Sequence, residues 1–382
     1  MTSSRALAAY YFCYFAAVGV YEPYLTPFWR EQGFSPRELG LLLAILPGVA
    51  VAAPFLWSAV ADLTRRTQLV FLANTWLCAA VALAIPHVRG ALPAAATVLG
   101  FSLLRSALIP IANSFTLRAL SGRREGYAAV RLWGTVGYIA SAVLAGGAMD
   151  RIGLRAGIHG IGLGMACAGL TAAAGRSRQP VALPPVRVAD ILRVLADRRL
   201  QLLLLAAAVA RVSYGPYETF FTIDLEQRGL SRTFAGAAWA LAAGSELLVM
   251  LQWPRLCAAA PARTWILLAL GTHALRWLLS AAAGGPALLL LVQLTHALTF
   301  GAFYLAAVQE VDALAPDGLR ATAQGAFASV AFGLGGSVGN VLSGAGYEAL
   351  GMRGLYLAAA LVAGLATALY ALGAPAARKA HP

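Results

Sequence analysis

YEPYLTPFWREQGFSPRELG, from Tyr21 to Gly40, aligns without gaps on YETFFTIDLEQRGLSRTFAG, from Tyr217 to Gly236, at an offset of 196 residues. The identities are Tyr21/Tyr217, Glu22/Glu218, Thr26/Thr222, Gly33/Gly229, Ser35/Ser231 and Gly40/Gly236. A second match, at an offset of 198, pairs Gly146, Asp150, Gly153 and Arg155 with Gly344, Glu348, Gly351 and Arg353. Two independent matches at nearly one offset mark an internal duplication. The chain therefore reads as two halves in parallel orientation, 1–175 and 200–382, joined by a segment at 176–199.

Composition identifies what each half is made of. Of the 382 residues, 60% are apolar and 12% charged, and the mean hydropathy is +0.71, whereas soluble domains carry roughly a quarter charged residues. Long apolar stretches, each sufficient for the ~20 residues a spanning helix needs, recur near 6–29, 39–61, 68–87, 92–118, 127–149, 156–175, 200–223, 233–254, 264–282, 286–309, 322–345 and 352–373. The expectation is an all-α integral membrane protein with twelve transmembrane helices in two pseudo-symmetric six-helix bundles and a short C-terminal tail.

The formal net charge of +13 would suggest nucleic acid in a soluble chain, so its distribution matters. With both termini cytoplasmic, 17 of the 29 Lys and Arg fall in cytoplasmic segments and 8 outside, the positive-inside bias. The remaining 4, Arg105, Arg131, Arg211 and Arg276, lie within or at the edge of spans. The densest cluster, Arg176 to Arg199, with Pro180, Pro184 and Pro185, reads as a solvated cytoplasmic linker rather than a nucleic-acid site. Lys379 is the only lysine, which excludes a phosphate-cradling G-x-x-x-x-G-K-[ST] loop. Cys13, Cys78, Cys167 and Cys257 have no paired spacing suited to a metal or a disulfide framework. No cofactor or metal is expected, and Gly335-Gly336-Ser337-Val338-Gly339, although it matches G-x-S-x-G, sits in a Gly-rich apolar span rather than on a strand-turn-helix elbow. The chain reads as no enzyme.

An ionisable group at the bilayer centre costs at least ~2.5 kcal/mol on insertion scales, so each needs a partner or an aqueous cavity. Glu22, Glu218 and Glu246 stand against Arg105, Arg211 and Arg276, with His273 and His296 able to titrate and Arg131 nearer the cytoplasmic side. Counting residues along each span puts Arg105, Arg211, Glu246, Arg276 and His296 near mid-bilayer and Glu22 and Glu218 in the outer third. Arg211, Tyr214 and Glu218 share one helical face, as do His273, Arg276 and Trp277, and as do Gln293, His296, Phe300 and Tyr304. Such polar and aromatic stripes fit a water-accessible pocket; the alternative is that each Arg and Glu only ties helices together.

Parallel six-helix halves resemble the major facilitator superfamily, whose fold implies a substrate site between the halves near the midplane. Ser58-Ala-Val-Ala-Asp62-Leu-Thr-Arg65-Arg66 resembles the superfamily's G-x-x-x-D-x-x-[R/K]-x-x-R/K loop, with Ser58 in place of the leading Gly and the basic positions compressed. The resemblance implies a gating and packing role for Asp62, Arg65 and Arg66; an ordinary charged turn is the alternative. Tyr21-Glu22-Pro23-Tyr24, Gly33-Phe34-Ser35, Arg131-Leu132-Trp133-Gly134-Thr135-Val136-Gly137-Tyr138 and His296-Ala297-Leu298-Thr299-Phe300-Gly301 resemble the bacterial phenylpropionate permease group, which is similar to the lactose and nucleoside proton symporters.

That resemblance implies a monomeric uptake system in the bacterial inner membrane, with protons and a small organic solute as its partners. Glu246, Arg276 and His296 occupy places similar to the lactose permease's coupling and sugar-binding residues. The glutamate that follows the span-ten histidine there is replaced here by Thr299, which leaves Glu22, Glu218 or Glu246 to carry the proton, with His296 as a further candidate. The expected substrate is an aromatic carboxylate, met by Arg105, Arg211 or Arg276 and packed by Tyr21, Tyr214, Trp277 or Phe300, with His273 and Gln293 as further ligands. A sugar or nucleoside symporter, a drug/proton antiporter and a non-transporting membrane receptor or assembly subunit are the alternatives.

Overall fold

The computed structural model describes residues 4–64, 66–120, 124–174 and 188–373. The described residues form helices and no strand, and they assemble into twelve spans. Spans one to three are Ser4–Glu31, Pro36–Thr64 and Thr67–Ala84, the third extended by a tight turn over Ile85–His87. Span four is made of Ala91–Ser106 and Leu108–Ala119, span five is Arg124–Ile152 and span six is Leu154–Ala174. A short helix, Val188–Val194, precedes span seven, which is made of Arg198–Val212 and Gly215–Gln227. Spans eight and nine are Arg232–Ala259 and Ala262–Ala282. Span ten runs through Pro286–Gln293, a π-helical turn at Ala297–Ala302 and Phe303–Leu314. Span eleven begins with Arg320–Phe327 and a π-helical stretch at Ala328–Gly335 and continues into Gly336–Gly373, which Gly351, at φ 59° and ψ 179°, divides into the end of span eleven and span twelve.

Among the described residues, nine stretches are long and apolar enough to cross a bilayer, with the 54 residues of Arg320–Gly373 taken as one. Spans one and seven fall outside that set. Span one is polar for a spanning helix because it carries Tyr10, Tyr11, Tyr14, Tyr21 and Glu22, and span seven is cut into pieces of 15 and 13 residues. The cuts in spans four and seven have a common cause. Pro110 and Pro216 lack the N–H that would bond the carbonyl four residues earlier, so the helix opens near Ser106 and Val212.

The repeated residues mark recurring backbone solutions. Gly33 and Gly229 both adopt positive φ, 89° and 75°, in the loops after spans one and seven, and Gly153 and Gly351 do the same at 82° and 59°. Ser231 caps span eight by accepting the Phe234 N–H at 3.1 Å, and Ser35 shares a reciprocal capping box with Glu38 at the start of span two. Gly40 of span two meets Gly344 of span eleven so closely that a Cβ on either would lie 2.7 to 2.8 Å from the other's Cα. Gly236 of span eight would be 2.1 Å from the Ala142 carbonyl of span five, and Gly146 would be 2.4 Å from Arg232 O. The two crossings join the halves as pseudo-symmetric mates, on the face that carries the loops after spans one and seven, called distal below. Only glycine permits backbones this close.

An ionic clasp closes the same face. Asp150, at the end of span five, accepts from Arg232 N at 2.9 Å, Thr233 N at 3.0 Å and Thr233 Oγ at 2.6 Å, so a carboxylate of one half caps the first helix turn of the other. The Arg232 guanidinium reaches Glu31 at 2.6 Å and Glu226 at 2.7 Å. Tyr24 donates to the Ala142 carbonyl at 2.7 Å and to that of Arg232 at 3.0 Å. One apolar core accordingly contains residues of both halves, from Leu7 to Ala363; a second is confined to the later half, from Val194 to Tyr370.

Candidate functional site

A cavity of about 520 Å³ lies between the halves. Spans one, two, four and five line it from the first half and spans seven, eight, ten and eleven from the second. The helix breaks occur where the polar lining is: Arg105 beside the break in span four, Arg211 and Tyr214 at the break in span seven, His296 and Phe300 at the π turn of span ten, and Phe332 in the π stretch of span eleven. Backbone irregularity at membrane depth is tolerated where it borders a cavity, and π turns concentrate at functional sites.

Among the described residues, three carboxylates and three guanidiniums line the cavity: Glu22, Glu218 and Glu246, with Arg105, Arg131 and Arg211. Arg211 is ion-paired with Glu218 across the break in span seven. Glu246 lies 3.8 Å from His296, Oε2 to Nε2. Arg105 and Arg131 differ. Arg105 donates to the Tyr14 hydroxyl at 3.2 Å and rests 5.1 Å from the Tyr21 ring centre; Arg131 rests 4.2 Å from Phe15 and 5.5 Å from Tyr11. Among the described residues neither has a carboxylate oxygen within 4 Å. Ring faces stabilise a desolvated guanidinium by about 0.5–2 kcal/mol each without neutralising it. The wall of span one, Phe15, Val18, Tyr21 and Glu22, follows helical spacing.

The sequence-derived candidates separate into two layers. Tyr21, Glu22, Arg105, Arg211, Tyr214, Glu218, Glu246, His296 and Phe300 line the cavity. Glu22 and Glu218, which residue counting puts in the outer third, share it with the mid-span groups. His273, Arg276, Trp277 and Gln293, expected in the pocket, lie behind its wall: all are buried, Arg276 completely. The duplication gives the reason. Span nine is the equivalent of span three, and spans three, six, nine and twelve stay outside the ring of eight that surrounds the cavity; Gln293, on span ten, is turned toward span nine.

Arg276 donates to Gln293 Oε1 at 3.1 Å, to Thr299 Oγ1 at 3.1 Å and to Nδ1 of His296 at 2.7 Å, and stands 4.6 Å from the Tyr217 ring centre. A guanidinium can only donate, so Nδ1 of His296 accepts and its neutral ring carries the proton on Nε2, toward Glu246. His273 donates from Nδ1 to the Ala269 carbonyl at 2.7 Å and packs edge-on against Tyr214. Trp277 donates to Ser213 at 2.9 Å and stacks on Tyr356. These groups hold the wall in place.

Tyr138, Tyr217 and Asn340 also line the cavity, and so does Arg131, which the sequence places nearer the cytoplasmic side. Arg131 appears near the membrane edge if span five starts at 127; the helix begins at Arg124, which carries Arg131 a turn deeper. Tyr217 had a signal, its repeat identity with Tyr21. Of the loop candidates, Arg66 precedes span three and is exposed. Asp62 falls in the helix of span two, its side chain outside the described residues, and Arg65 lies outside them. Arg176, Arg178 and Arg187 of the linker also lie outside them. The G-x-S-x-G match is helix packing: Ser337 donates to the Ala44 carbonyl at 2.9 Å, and Gly339 abuts Val212.

A maltose permease of Geobacillus stearothermophilus is 29% identical over 343 residues, covering 85% of this chain and 83% of that protein. A probable 3-phenylpropionic acid transporter of Escherichia coli (strain K12) is 27% identical over 377 residues, covering 95% and 96%. A crystal structure of a point mutant of the nucleoside transporter NupG superposes with a TM-score of 0.88 at 17% identity, covering 97% of this chain and 99% of that one, a likeness of fold. The family model described as MFS_1 like family matches residues 4–358. The chain belongs to that family: it is a multi-pass membrane transporter of the major facilitator type and not an enzyme.

Proposed function

We propose that the chain imports an aromatic carboxylate together with protons across the bacterial cytoplasmic membrane, as a monomer with both termini inside. The carrying observation is the pair Arg105 and Arg131, which line the cavity on aromatic supports with no described carboxylate within 4 Å. Two guanidiniums held this way attract an anion, and Tyr21, Tyr214, Tyr217 and Phe300 supply ring faces for an aromatic body. The positive-inside charge distribution makes the distal face periplasmic, so the clasp and the glycine crossings close the outer gate of an inward-facing form.

Coupling follows from competition for the same partners. A substrate carboxylate that engages Arg211 displaces Glu218, which then takes up a proton. Protonated Glu246 accepts poorly from Nε2–H of His296, and that contact loosens as the halves rock. Each step neutralises a charge before it must move through a low-dielectric region, where one elementary charge crossing 100 mV is worth ~2.3 kcal/mol. The roles assigned to Glu22, Glu218, Glu246 and His296 in proton coupling, to Tyr21, Arg105, Arg131, Arg211, Tyr214 and Phe300 in contact with substrate, and to Asp62, Arg65 and Arg66 in gating belong to this proposal. His273, Arg276, Trp277 and Gln293 act in it as positioning groups.

A sugar is the second reading, favoured by three cavity glutamates able to accept from hydroxyls and by similarity to a maltose permease. Uptake of labelled 3-phenylpropionate, maltose and uridine by energised cells separates the two. The aromatic acid accumulates, and a protonophore abolishes its accumulation. Accumulation of maltose or uridine instead refutes the substrate, and insensitivity to the protonophore refutes the coupling.

A further inference from the structure

Away from the cavity, on the distal face, two imidazoles from different spans meet. His87 ends the turn after span three and His159 lies one turn into span six, and their Nε2 atoms are 3.3 Å apart. The ring centres are 5.3 Å apart and the ring planes are inclined at 68°. His159 Nδ1 lies 3.1 Å from the Arg155 carbonyl and 3.3 Å from that of Ala156. A carbonyl only accepts, so the ring proton sits on Nδ1, and the Nε2 lone pair faces His87. This is the tautomer a metal ligand needs, with the backbone as the outer partner that fixes the ring.

The separations also fit a shared cation. Two zinc–imidazole bonds of about 2.05 Å at the tetrahedral angle put the nitrogens ~3.3 Å and the ring centres ~5.2 Å apart. Without a cation, the same 3.3 Å contact is within reach of a direct N–H···N hydrogen bond from His87. We propose that His87 and His159 form a two-histidine site for a divalent transition-metal cation such as zinc or nickel, pinning span three to span six within the first half. Among the described residues no third His, Cys, Asp or Glu joins them, so water completes the coordination and the metal exchanges freely. Arg155 ties the same two spans independently, by donating from Nε to the Pro86 carbonyl at 3.1 Å.

The test uses purified full-length protein freed of any histidine tag, titrated with zinc chloride, with magnesium chloride as control. Thermal unfolding and calorimetric binding are followed in the wild type, His87→Gln and His159→Gln. The wild type binds one zinc per chain and unfolds at a higher temperature with zinc but not with magnesium. Each variant unfolds at nearly the wild-type temperature without metal and loses zinc affinity by about tenfold or more, as removal of one of two ligands requires. Absence of a zinc-specific shift in the wild type overturns the site, as does an affinity that falls by less than about tenfold in either variant.

Discussion

At the scale of single residues, Arg105 carries the anion reading most directly. Its guanidinium is held by the Tyr14 hydroxyl and the Tyr21 ring, so its position does not depend on an acid that protonation could release. Hydrogen bonds to a charged group contribute about 1.5–3 kcal/mol, so Arg105→Ala should weaken binding of an aromatic carboxylate roughly 10- to 150-fold while leaving its neutral amide analogue nearly unaffected. Equilibrium binding of the acid and the amide to the purified variant checks this; equal losses for both ligands would make Arg105 a packing residue. The charges of the site were legible in the sequence because an ionised group in an apolar span is costly, which pointed to Glu22, Arg105, Arg211, Glu218, Glu246 and His296. Which face of a span carries a group is harder to read. Arg276 is as conspicuous as Arg105 by that criterion, yet it faces Gln293, Thr299 and His296 behind the wall. Asn340 carries no charge and so gave no signal, and Tyr138 entered only as the end of a family-like stretch.

At the scale of elements, the proposed outer gate rests on a helix start in one half capped by a carboxylate of the other. Loss of a cap costs about 0.5–2 kcal/mol, so Asp150→Ala should raise the ratio of outward-open to inward-open molecules about 2- to 30-fold. Spin labels at Arg37 and Glu348, on the exposed distal ends of spans two and eleven, report it in a background with Cys13, Cys78, Cys167 and Cys257 replaced. The long-distance population should grow in the variant; an unchanged distribution would mean that the clasp does not hold the gate. The element boundaries were readable where chemistry is local. Pro110 and Pro216 sit where spans four and seven break, and the repeated Gly33/Gly229 and Ser35/Ser231 are a left-handed turn and a helix cap in both halves. The π turns of spans ten and eleven carry no such local mark, since neither Ala297–Ala302 nor Ala328–Gly335 contains a proline.

At the scale of the whole molecule, the duplication was legible because the same backbone problem is solved twice. Gly40 and Gly236, matched at one offset, and Gly146 and Gly344, matched at the other, turn out to be the four glycines of the two crossings between halves. The sequence does not reveal who meets whom, since the partners come from opposite halves and the pairing is tertiary. The same crossings leave, among the described residues, three acids and three arginines lining a cavity between the halves. Gradient-driven entry of an anion through that cavity is the central claim, and Glu246 is, with Glu218, one of the two glutamates whose protonation the proposed coupling requires. The direct measurement is uptake of labelled 3-phenylpropionate into proteoliposomes of the purified chain, with an imposed inward proton gradient and, separately, with preloaded substrate and no gradient. The wild type should accumulate substrate above equilibrium in the first case, and Glu246→Gln should exchange it at near wild-type rate in the second while failing to accumulate it in the first. Wild-type uptake that only equilibrates whatever the gradient, or accumulation that persists in Glu246→Gln, would contradict the account.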